Sequence, residues 1–311
     1  MKAFHDIHIH SYLSLCSGDN QGTAERYIER ARSLGHRLMG FANHTWDESI
    51  PFPPTYKKNF YRFQSMAYQM QIKNQIPNNP DGMKILVGAE TEYCGMFDIL
   101  GMGKEAAMQL DYLLIPHTHL HMRGFVMPKF EEAEAVRENI LEKLRKVEGI
   151  PDSLAKQMTD SIPDKTLEAM VDGGIKNQRQ RVANFMVESF MSLMNNETLK
   201  TYSDLIPVSI AHPFQPISFP NKVEILKLIP DNTYGELFEM AASRGIGLEI
   251  NFETQNDEDI RLFSIAKECG CKFTLGSDTH TYEAFDKIFD TEFLCDRVGL
   301  TEDDFMDFVR Q

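Results

Sequence analysis

The chain has 311 residues, of which 42% are hydrophobic and 25% are charged. This composition is typical of a folded protein with a sizeable core and argues against intrinsic disorder. The formal net charge of −14 disfavours long nucleic acids as partners, because proteins that bind them carry basic surfaces that displace counterions. A small anionic substrate remains compatible with this charge, since bound divalent cations reverse the local field.

The five cysteines are scattered and odd in number, which does not indicate a disulfide framework. No stretch reaches the ~20 apolar residues that a membrane-spanning helix needs, and the first residues do not resemble a signal peptide. We therefore expect a cytoplasmic protein with reduced thiols and no membrane partner. The sequence does not predict an oligomeric state.

Short β-like runs alternate with helical patterns along the chain. Residues 23–34 illustrate the helical pattern, with Ala24, Ile28 and Ala31 on one face and charged residues on the other. Strands that alternate with helices predict an α/β fold with a parallel sheet or barrel. The predicted strands cover residues 4–10, 38–43, 84–89, 112–116, 208–211, 246–251 and 272–276.

The pattern changes after residue 121 to a long polar stretch with helical periodicity at residues 130–147 and 167–199. We interpret residues 122–206 as a helical insertion within a single domain that spans residues 1–311. The insertion begins after one predicted strand and ends before the next, so both of its ends lie at the same face. We expect it to close over the site as a lid that sets substrate choice.

Ligand-type side chains follow the carboxyl ends of six predicted strands. His8 and His10 end the first strand and point to the same side, because side chains alternate along a strand. Active sites of parallel barrels form at the carboxyl ends of the strands. One such histidine alone is more often structural, but the set predicts catalysis. The set is His8, His10, His44, Glu90, His117, His119, His212, Asp278 and His280.

Mixed imidazole and carboxylate ligands favour zinc, manganese or iron, whereas magnesium and calcium prefer oxygen ligands alone. Nine candidate ligands are more than one metal needs, since a catalytic zinc commonly takes three protein ligands. The sequence therefore predicts two or three divalent transition metals. Such a centre binds phosphate oxygens, activates water as hydroxide and stabilises the leaving oxygen of an in-line displacement.

The motifs that contain these residues occur in a recognisable order. They are Asp6-x-His8-x-His10, Gly40-Phe41-Ala42-Asn43-His44, Gly88-Ala89-Glu90-Thr91-Glu92-Tyr93, a histidine near 119, Ala211-His212-Pro213 and Gly276-Ser277-Asp278-Thr279-His280. This order resembles the polymerase and histidinol phosphatase (PHP) family, and it is closest to its histidinol phosphatase-like members. The resemblance spans nearly the whole chain outside the insertion. It implies a distorted (βα)7 barrel of the TIM-like kind with a trinuclear metal centre.

The resemblance also implies a role for each residue. Glu90 is the bridging carboxylate, and Glu90, Asp278 and His280 are the implied catalytic residues. One metal is held by His8, His10, Glu90 and Asp278; a second by His44, Glu90 and a histidine of the fourth motif; and a third by His212, His280 and an early residue. Family members often have a histidine in a Leu-Cys-x-His context at this early position. This chain has Leu15-Cys16-Ser17-Gly18-Asp19 instead, so Asp19 is the candidate.

The fourth motif leaves a choice, because His117, His119 and His121 alternate after a strand. The resemblance favours His119 as the ligand, with His117 as the alternative ligand or a substrate-binding residue. Arg123 is the nearest cation in the sequence and is the predicted phosphate contact. Cys16 is interpreted as a packed spectator thiol, because no base is evident beside it.

The leading hypothesis is a metal-dependent phosphatase of a small phosphorylated metabolite. Histidinol phosphate is the first candidate, which implies a place in histidine biosynthesis. One alternative is a phosphodiesterase or exonuclease that acts on nucleotides or oligonucleotides, which the acidic charge disfavours. Another is a non-catalytic metal-binding regulatory module, which the nearly complete ligand set disfavours.

Overall fold

The computed structural model describes residues 2–56, 60–77, 82–122, 125–126, 133–170, 174–217, 219 and 222–310. The strands are β1 (His5–Ile9), β2 (Leu38–Phe41), β3 (Lys84–Val87), β4 (Ala89–Glu90), β5 (Tyr93–Cys94), β6 (Ile99–Leu100), β7 (Leu113–Leu114), β8 (Val208–Ile210), β9 (Gly247–Asn251) and β10 (Phe273–Gly276). The α-helices are α1 (Ala24–Ser33), α2 (Met66–Gln75), α3 (Lys104–Ala107), α4 (Ala133–Arg145), α5 (Asp152–Asp160), α6 (Asp164–Met170), α7 (Gly174–Asn195), α8 (Glu197–Lys200), α9 (Lys222–Leu226), α10 (Asp231–Ser243), α11 (Asp257–Glu268) and α12 (Thr291–Val298). Short 3₁₀ helices span Tyr61–Phe63, Tyr282–Asp290 and Glu302–Asp304.

The strands form two parallel sheets and one small hairpin. One sheet has the order β1-β2-β3, and the other has the order β10-β9-β8-β7-β4. The hairpin pairs β5 with β6 in antiparallel fashion. Helices connect most of the parallel neighbours, as parallel pairing requires. The predicted α/β fold with parallel strands is therefore confirmed, and each predicted strand contains an observed one.

The two sheets adjoin at both of their outer edges. On one side β3 continues into β4 after Gly88, and the Glu90 amide donates to the Asn43 carbonyl at 3.1 Å. On the other side the His10 amide, just after β1, donates to the Thr279 carbonyl at 3.0 Å, just after β10. These contacts bring the carboxyl ends of both sheets to the same end of the molecule.

Close packing around Tyr112 explains two glycines in the strands. Its ring is fully buried, and its hydroxyl donates to the Ile7 carbonyl at 2.5 Å. A Cβ at Gly40 or at Gly88 would overlap the Tyr112 ring. Only glycine leaves room for this ring between the strands, which is why both positions lack a side chain.

Helix ends follow from local sequence. Thr23 caps α1 by accepting a hydrogen bond from the Arg26 amide, and the buried face of the helix includes Ala24, Ile28 and Ala31 at helical spacing. Asn256 and Asp259 form a reciprocal capping box at the start of α11. No helix among the described residues is long and apolar enough to cross a membrane.

The structure differs from the expected lid in the second half of the segment 122–206, because helix α7 in that half belongs to the hydrophobic core. Val182, Met186, Phe190 and Leu193 of this helix are buried in the main core. The helix lies between β7 and β8 in the chain, and the Phe190 ring of its apolar stripe packs against Phe214 and Phe238. Helices α4 to α6 precede α7, and Arg137 of α4 links them by donating to the Thr159 carbonyl of α5 and to Asp164 Oδ1 of α6, both at 2.6 Å.

Candidate metal centre

Glu90 lies at the centre of the ligand-type side chains. It ends β4 and is almost fully buried, so its carboxylate is held among the strand ends. Its two oxygens face different histidines. Oε2 lies 3.3 Å from His8 Nε2, 3.4 Å from His10 Nε2 and 2.9 Å from His44 Nδ1, whereas Oε1 lies 3.5 Å from His119 Nε2 and 3.2 Å from His212 Nε2.

Asp278 approaches the same histidines from the end of β10. Its Oδ1 lies 3.2 Å from His10 Nε2 and 3.5 Å from His8 Nε2. Asp278 and His212 both have left-handed backbones, with φ of 47° and 31°. Residues other than glycine rarely adopt this region, and such strain is characteristic of functional sites. The turns after β8 and β10 therefore aim these side chains inward at a conformational cost.

The side chains form three groups that could each hold a metal ion. Within each group, one ligand atom per residue lies within 4.8 Å of the others. The groups are His8, His10 and Asp278; Glu90, His119 and His212; and His10, Cys16, His44 and His280.

Buried polar atoms at the centre fit such ions. Glu90 Oε2 and His44 Nδ1 lie 2.9 Å apart, yet neither forms an aligned hydrogen bond within the part of the chain that the structure describes. A buried polar atom without a partner is costly, and a metal would satisfy both atoms at once. The donor set of imidazole nitrogens and carboxylate oxygens also suits zinc, manganese or iron. The residues present therefore fit a metal centre.

Two buried carboxylates that the sequence analysis left unassigned hold the site histidines from behind. Glu249 of β9 accepts from His8 Nδ1 at 2.7 Å and from the His212 amide at 2.9 Å. Glu92 accepts from His119 Nδ1 at 2.7 Å and from the Tyr61 hydroxyl at 2.7 Å. Glu249 interrupts the otherwise largely apolar strand β9, and this is the signal that could have identified it. Glu92 lies between β4 and β5 directly after Thr91, where no such pattern marks it.

Electrostatics distinguish the site histidines from a structural one. Burial alone would lower the pKa of His8, but Glu249, Asp278 and Glu90 raise it well above its usual value. The pKa of His280 is raised to about 9 against the effect of burial, by hydrogen bonding to Cys16 and by Asp278. Burial lowers the pKa of His117 to about 3. Carboxylates therefore surround the first two residues but not His117.

The structure brings His119, but not His117, to the centre. His117 is fully buried, and its Nε2 accepts a hydrogen bond from the Phe214 amide at 3.1 Å. Its ring packs edge-on against Phe190 and Phe214. The structure does not bring His117 to the cavity, where it was expected to bind substrate, because this side chain is part of the core behind the site.

The structure also corrects the candidate for the early ligand. Asp19 lies outside all three groups, and its two oxygens accept from the amides of Gln21 at 2.7 Å and Tyr282 at 2.8 Å. Cys16 is in the group instead, with Sγ 3.6 Å from His10 Nδ1. Burial would raise the pKa of the Cys16 thiol, but His10 and His44 lower it to about 2. Cys16 therefore belongs to the same cluster as His10, His44 and His280.

A cavity of about 580 Å³ opens onto the centre. Its polar floor includes His44, Glu90, His119, Asp278 and His280, and its other walls are largely apolar. No described residue between 133 and 206 lines it. The described helices of the segment 122–206 therefore do not form the expected lid over the mouth of the cavity. Arg123, the predicted phosphate contact, lies outside the described residues. The apolar and polar residues of the remaining walls include Tyr56, Phe60, Tyr61, Met122, Gln215, Pro216, Ile217, Phe219, Lys222 and Glu253.

No protein-family model and no curated protein matches the chain. Among solved structures, the chain is similar to histidinol phosphate phosphatase from Lactococcus lactis subsp. lactis, crystallised with zinc, L-histidinol and phosphate. That match covers 96% of this chain and 94% of that chain, with a TM-score of 0.50 and 17% sequence identity. A match to the catalytic domain of a β-amylase from Paenibacillus polymyxa covers 94% of this chain and 91% of that one. Its TM-score of 0.36 and its sequence identity of 11% are too low to show a shared fold. The first likeness shows that this chain shares the α/β fold of the phosphatase.

Proposed function

We propose that this protein is a metal-dependent phosphoesterase of the PHP family that hydrolyses a small phosphate monoester. One observation carries the proposal: side chains from five strand ends surround one buried carboxylate, Glu90, which ends a sixth strand at the floor of an open cavity. The proposal includes a single domain with a closed, distorted (βα)7 barrel. It is supported by β1 lying beside β10 and by β3 continuing into β4.

The three groups suggest which residues would hold two or three metals. His8, His10 and Asp278 would hold one ion, Glu90 would bridge, and His119 with His212 would hold another. Bound zinc, manganese or iron would supply an activated water at neutral pH and would stabilise negative charge on the phosphate. His280, which lies beside His44 in the cavity floor, would belong to the third group.

The chain's own residues orient these ligands. Because Glu249 accepts the hydrogen of His8 Nδ1, Nε2 faces Glu90 and is the nitrogen that would lose its proton to bind a metal. Glu92 orients His119 in the same way, with Nε2 toward Glu90. Both ligand nitrogens are thereby directed inward before substrate binds, which lowers the reorganisation that catalysis requires.

The cavity supports a small substrate with an apolar or aromatic body. The phosphate would lie on the polar floor, and the leaving group would contact Tyr56, Phe60 and Ile217. Apolar walls exclude water and so strengthen the electrostatic contacts at the phosphate. Histidinol phosphate is the first compound to test, because the structural neighbour is a histidinol phosphate phosphatase. In that role the protein would act in histidine biosynthesis in the cytoplasm.

The test is a screen with purified protein loaded separately with zinc, manganese or iron. The panel contains histidinol phosphate, sugar phosphates, nucleoside monophosphates, a phosphodiester and an oligonucleotide. We expect turnover of at least one monoester, and a loss of about 100-fold or more in Glu90→Gln and in Asp278→Asn. Glu239→Gln, on the exposed face of α10, is the matched control and should retain activity.

Two outcomes would contradict the proposal. A fully metal-loaded protein that hydrolyses no phosphate ester would favour the regulatory module. Hydrolysis confined to the phosphodiester or the oligonucleotide would favour a nuclease. Circular dichroism of each variant shows whether a loss of activity is a loss of fold.

A further inference from the structure

One of the three groups at the cavity contains a thiol. Cys16 Sγ lies 3.6 Å from His10 Nδ1 and forms a group with His44 and His280 in which the ligand atoms lie within 4.8 Å of one another. The other two groups offer only nitrogen and oxygen donors. The site therefore combines two positions that offer nitrogen and oxygen donors with a third that offers sulfur and nitrogen donors.

The loop that carries Cys16 is held on both sides of the thiol. On one side the buried amide oxygen of Gln64 accepts from Ser14 Oγ at 3.1 Å, and Ser14 Oγ itself lies 2.9 Å from Cys16 Sγ. On the other side Ser17 Oγ donates to the His280 carbonyl at 2.9 Å. These contacts fix the loop against the turn after β10, so the thiol is directed at the imidazoles.

We propose that Cys16, His44 and His280 form a thiolate-containing metal position that selects zinc over manganese. This inference rests on the proposed metal centre. Zinc accepts sulfur and nitrogen donors together, whereas manganese prefers carboxylate and water oxygens. The sulfur would bind as the thiolate.

The number of ligands supports a reactive position rather than a structural one. His10 Nε2 faces Asp278 at 3.2 Å and is therefore assigned to the position it shares with His8. Cys16, His44 and His280 remain as three protein ligands, and catalytic zinc sites keep a fourth place open. Cys16 and His280 line the cavity, so this open place faces the substrate.

Cobalt(II) reports directly on sulfur ligation and requires no turnover. We expect apoprotein reconstituted with Co²⁺ to show a near-ultraviolet sulfur-to-cobalt charge-transfer band. In Cys16→Ser the band is lost, and the metal content falls by about one ion per chain. In Cys16→His the metal content is retained without the band, because imidazole replaces the thiolate. Cys269→Ser is the matched control, since this half-buried thiol belongs to none of the three groups and donates to the Gly235 carbonyl of α10 at 3.7 Å, and it should keep both signals.

A competition between zinc and manganese tests the selectivity. Wild type dialysed against equal concentrations of both should retain about one zinc per chain that Cys16→Ser does not. Absence of the band in wild type, or its persistence in Cys16→Ser, would overturn the inference. A protein that shows the band but hydrolyses no phosphate ester would instead refute the proposed function and leave this metal position intact.

Discussion

Glu249 and Glu92 act on the ring nitrogens that point away from the centre. Each carboxylate accepts from Nδ1 of one histidine at 2.7 Å, and each has a second buried donor, the His212 amide or the Tyr61 hydroxyl. Neither acid lines the cavity. Their contribution is therefore to orient ligands and to keep them basic, an arrangement that commonly changes metal affinity by about 10- to 100-fold.

Glu249→Gln tests this role. The amide keeps the size of the side chain, but its NH₂ group faces one of two hydrogen-bond donors and cannot accept from both. We expect metal affinity in chelator competition to fall by about 10- to 100-fold, with the circular dichroism spectrum retained. Glu239→Gln, on an exposed face, should not change the affinity. Equal affinities for Glu249→Gln and wild type would show that Glu249 only fills space.

At the residue scale, the sequence predicted those site residues whose positions follow from side-chain alternation along a strand or from the end of a strand. His8 and His10 share one face of β1, and Glu90 ends β4, so their convergence follows from strand geometry. Cys16 and Glu249 were not predicted, because their roles depend on contacts across 241 positions, as between His8 and Glu249, or on how a loop is tethered. No local pattern contains that information.

At the scale of elements, β1 and β10 are joined by a neutral histidine. His5 Nε2 accepts a hydrogen bond from the Leu275 amide at 2.8 Å, which requires that nitrogen to be unprotonated. The ring is fully buried beside Phe4 and Phe305. Burial, together with His36 and Arg37, lowers the pKa of His5 to about 3. This edge of the sheet therefore depends on an uncharged imidazole.

The free energy of unfolding should reflect this histidine. Below pH 6.5 the unfolded chain binds a proton that folded His5 does not bind until about pH 3, so stability falls as the pH decreases through this window. At pH 5 the loss is about 2 kcal/mol relative to pH 7.5. In His5→Gln the amide oxygen can still accept from Leu275 without titrating. Urea unfolding at both pH values should show a pH dependence smaller by this amount in the variant, and parallel curves would refute the assignment.

The helix α7 makes a second prediction at this scale. Phe190 is fully buried against His117 and Phe214, whereas Leu154 of α5 is largely exposed. Phe190→Ala should destabilise the protein by about 3–5 kcal/mol, because it leaves a cavity in the core. Leu154→Ala should change stability by less than about 0.5 kcal/mol. Similar urea midpoints for the two variants would mean that α7 is a peripheral lid after all.

The sequence could not distinguish these two possibilities for α7. A crossover helix and a lid helix both show one apolar stripe at a period of 3.6 residues, and periodicity does not say what the stripe faces. The polar character of the neighbouring segment at residues 130–147 extended the predicted insertion too far. The burial of Met186 and the packing of Phe190 against His117 and Phe214 decide the matter, and both depend on tertiary contacts alone.

At the scale of the whole molecule, a chain with a negative net charge also has buried carboxylates at one end of its fold. The net charge is −14, and Glu90, Glu92 and Glu249 are all essentially buried beside the histidines. Buried charges are costly unless they are paired. The site belongs to β1, near the start of the chain, and equally to β10, near its end. A bound cation would therefore connect elements that are distant in the sequence.

Metal removal should consequently weaken the entire fold and not only the site. A ligand that binds the folded state alone stabilises it by about 4 kcal/mol when its concentration is 1,000 times its dissociation constant. We expect chelator-treated protein to unfold in urea with a free energy lower by several kcal/mol, and re-addition of zinc to restore it. Glu90→Gln provides the control, since without the central carboxylate the same treatment should have much less effect. If wild type unfolds identically with and without metal, the clustered side chains do not bind ions in the folded state.

Because the strand ends at both edges of the two sheets contribute ligands, a genuine metal effect should also appear as slower amide exchange in β1 and β10 together.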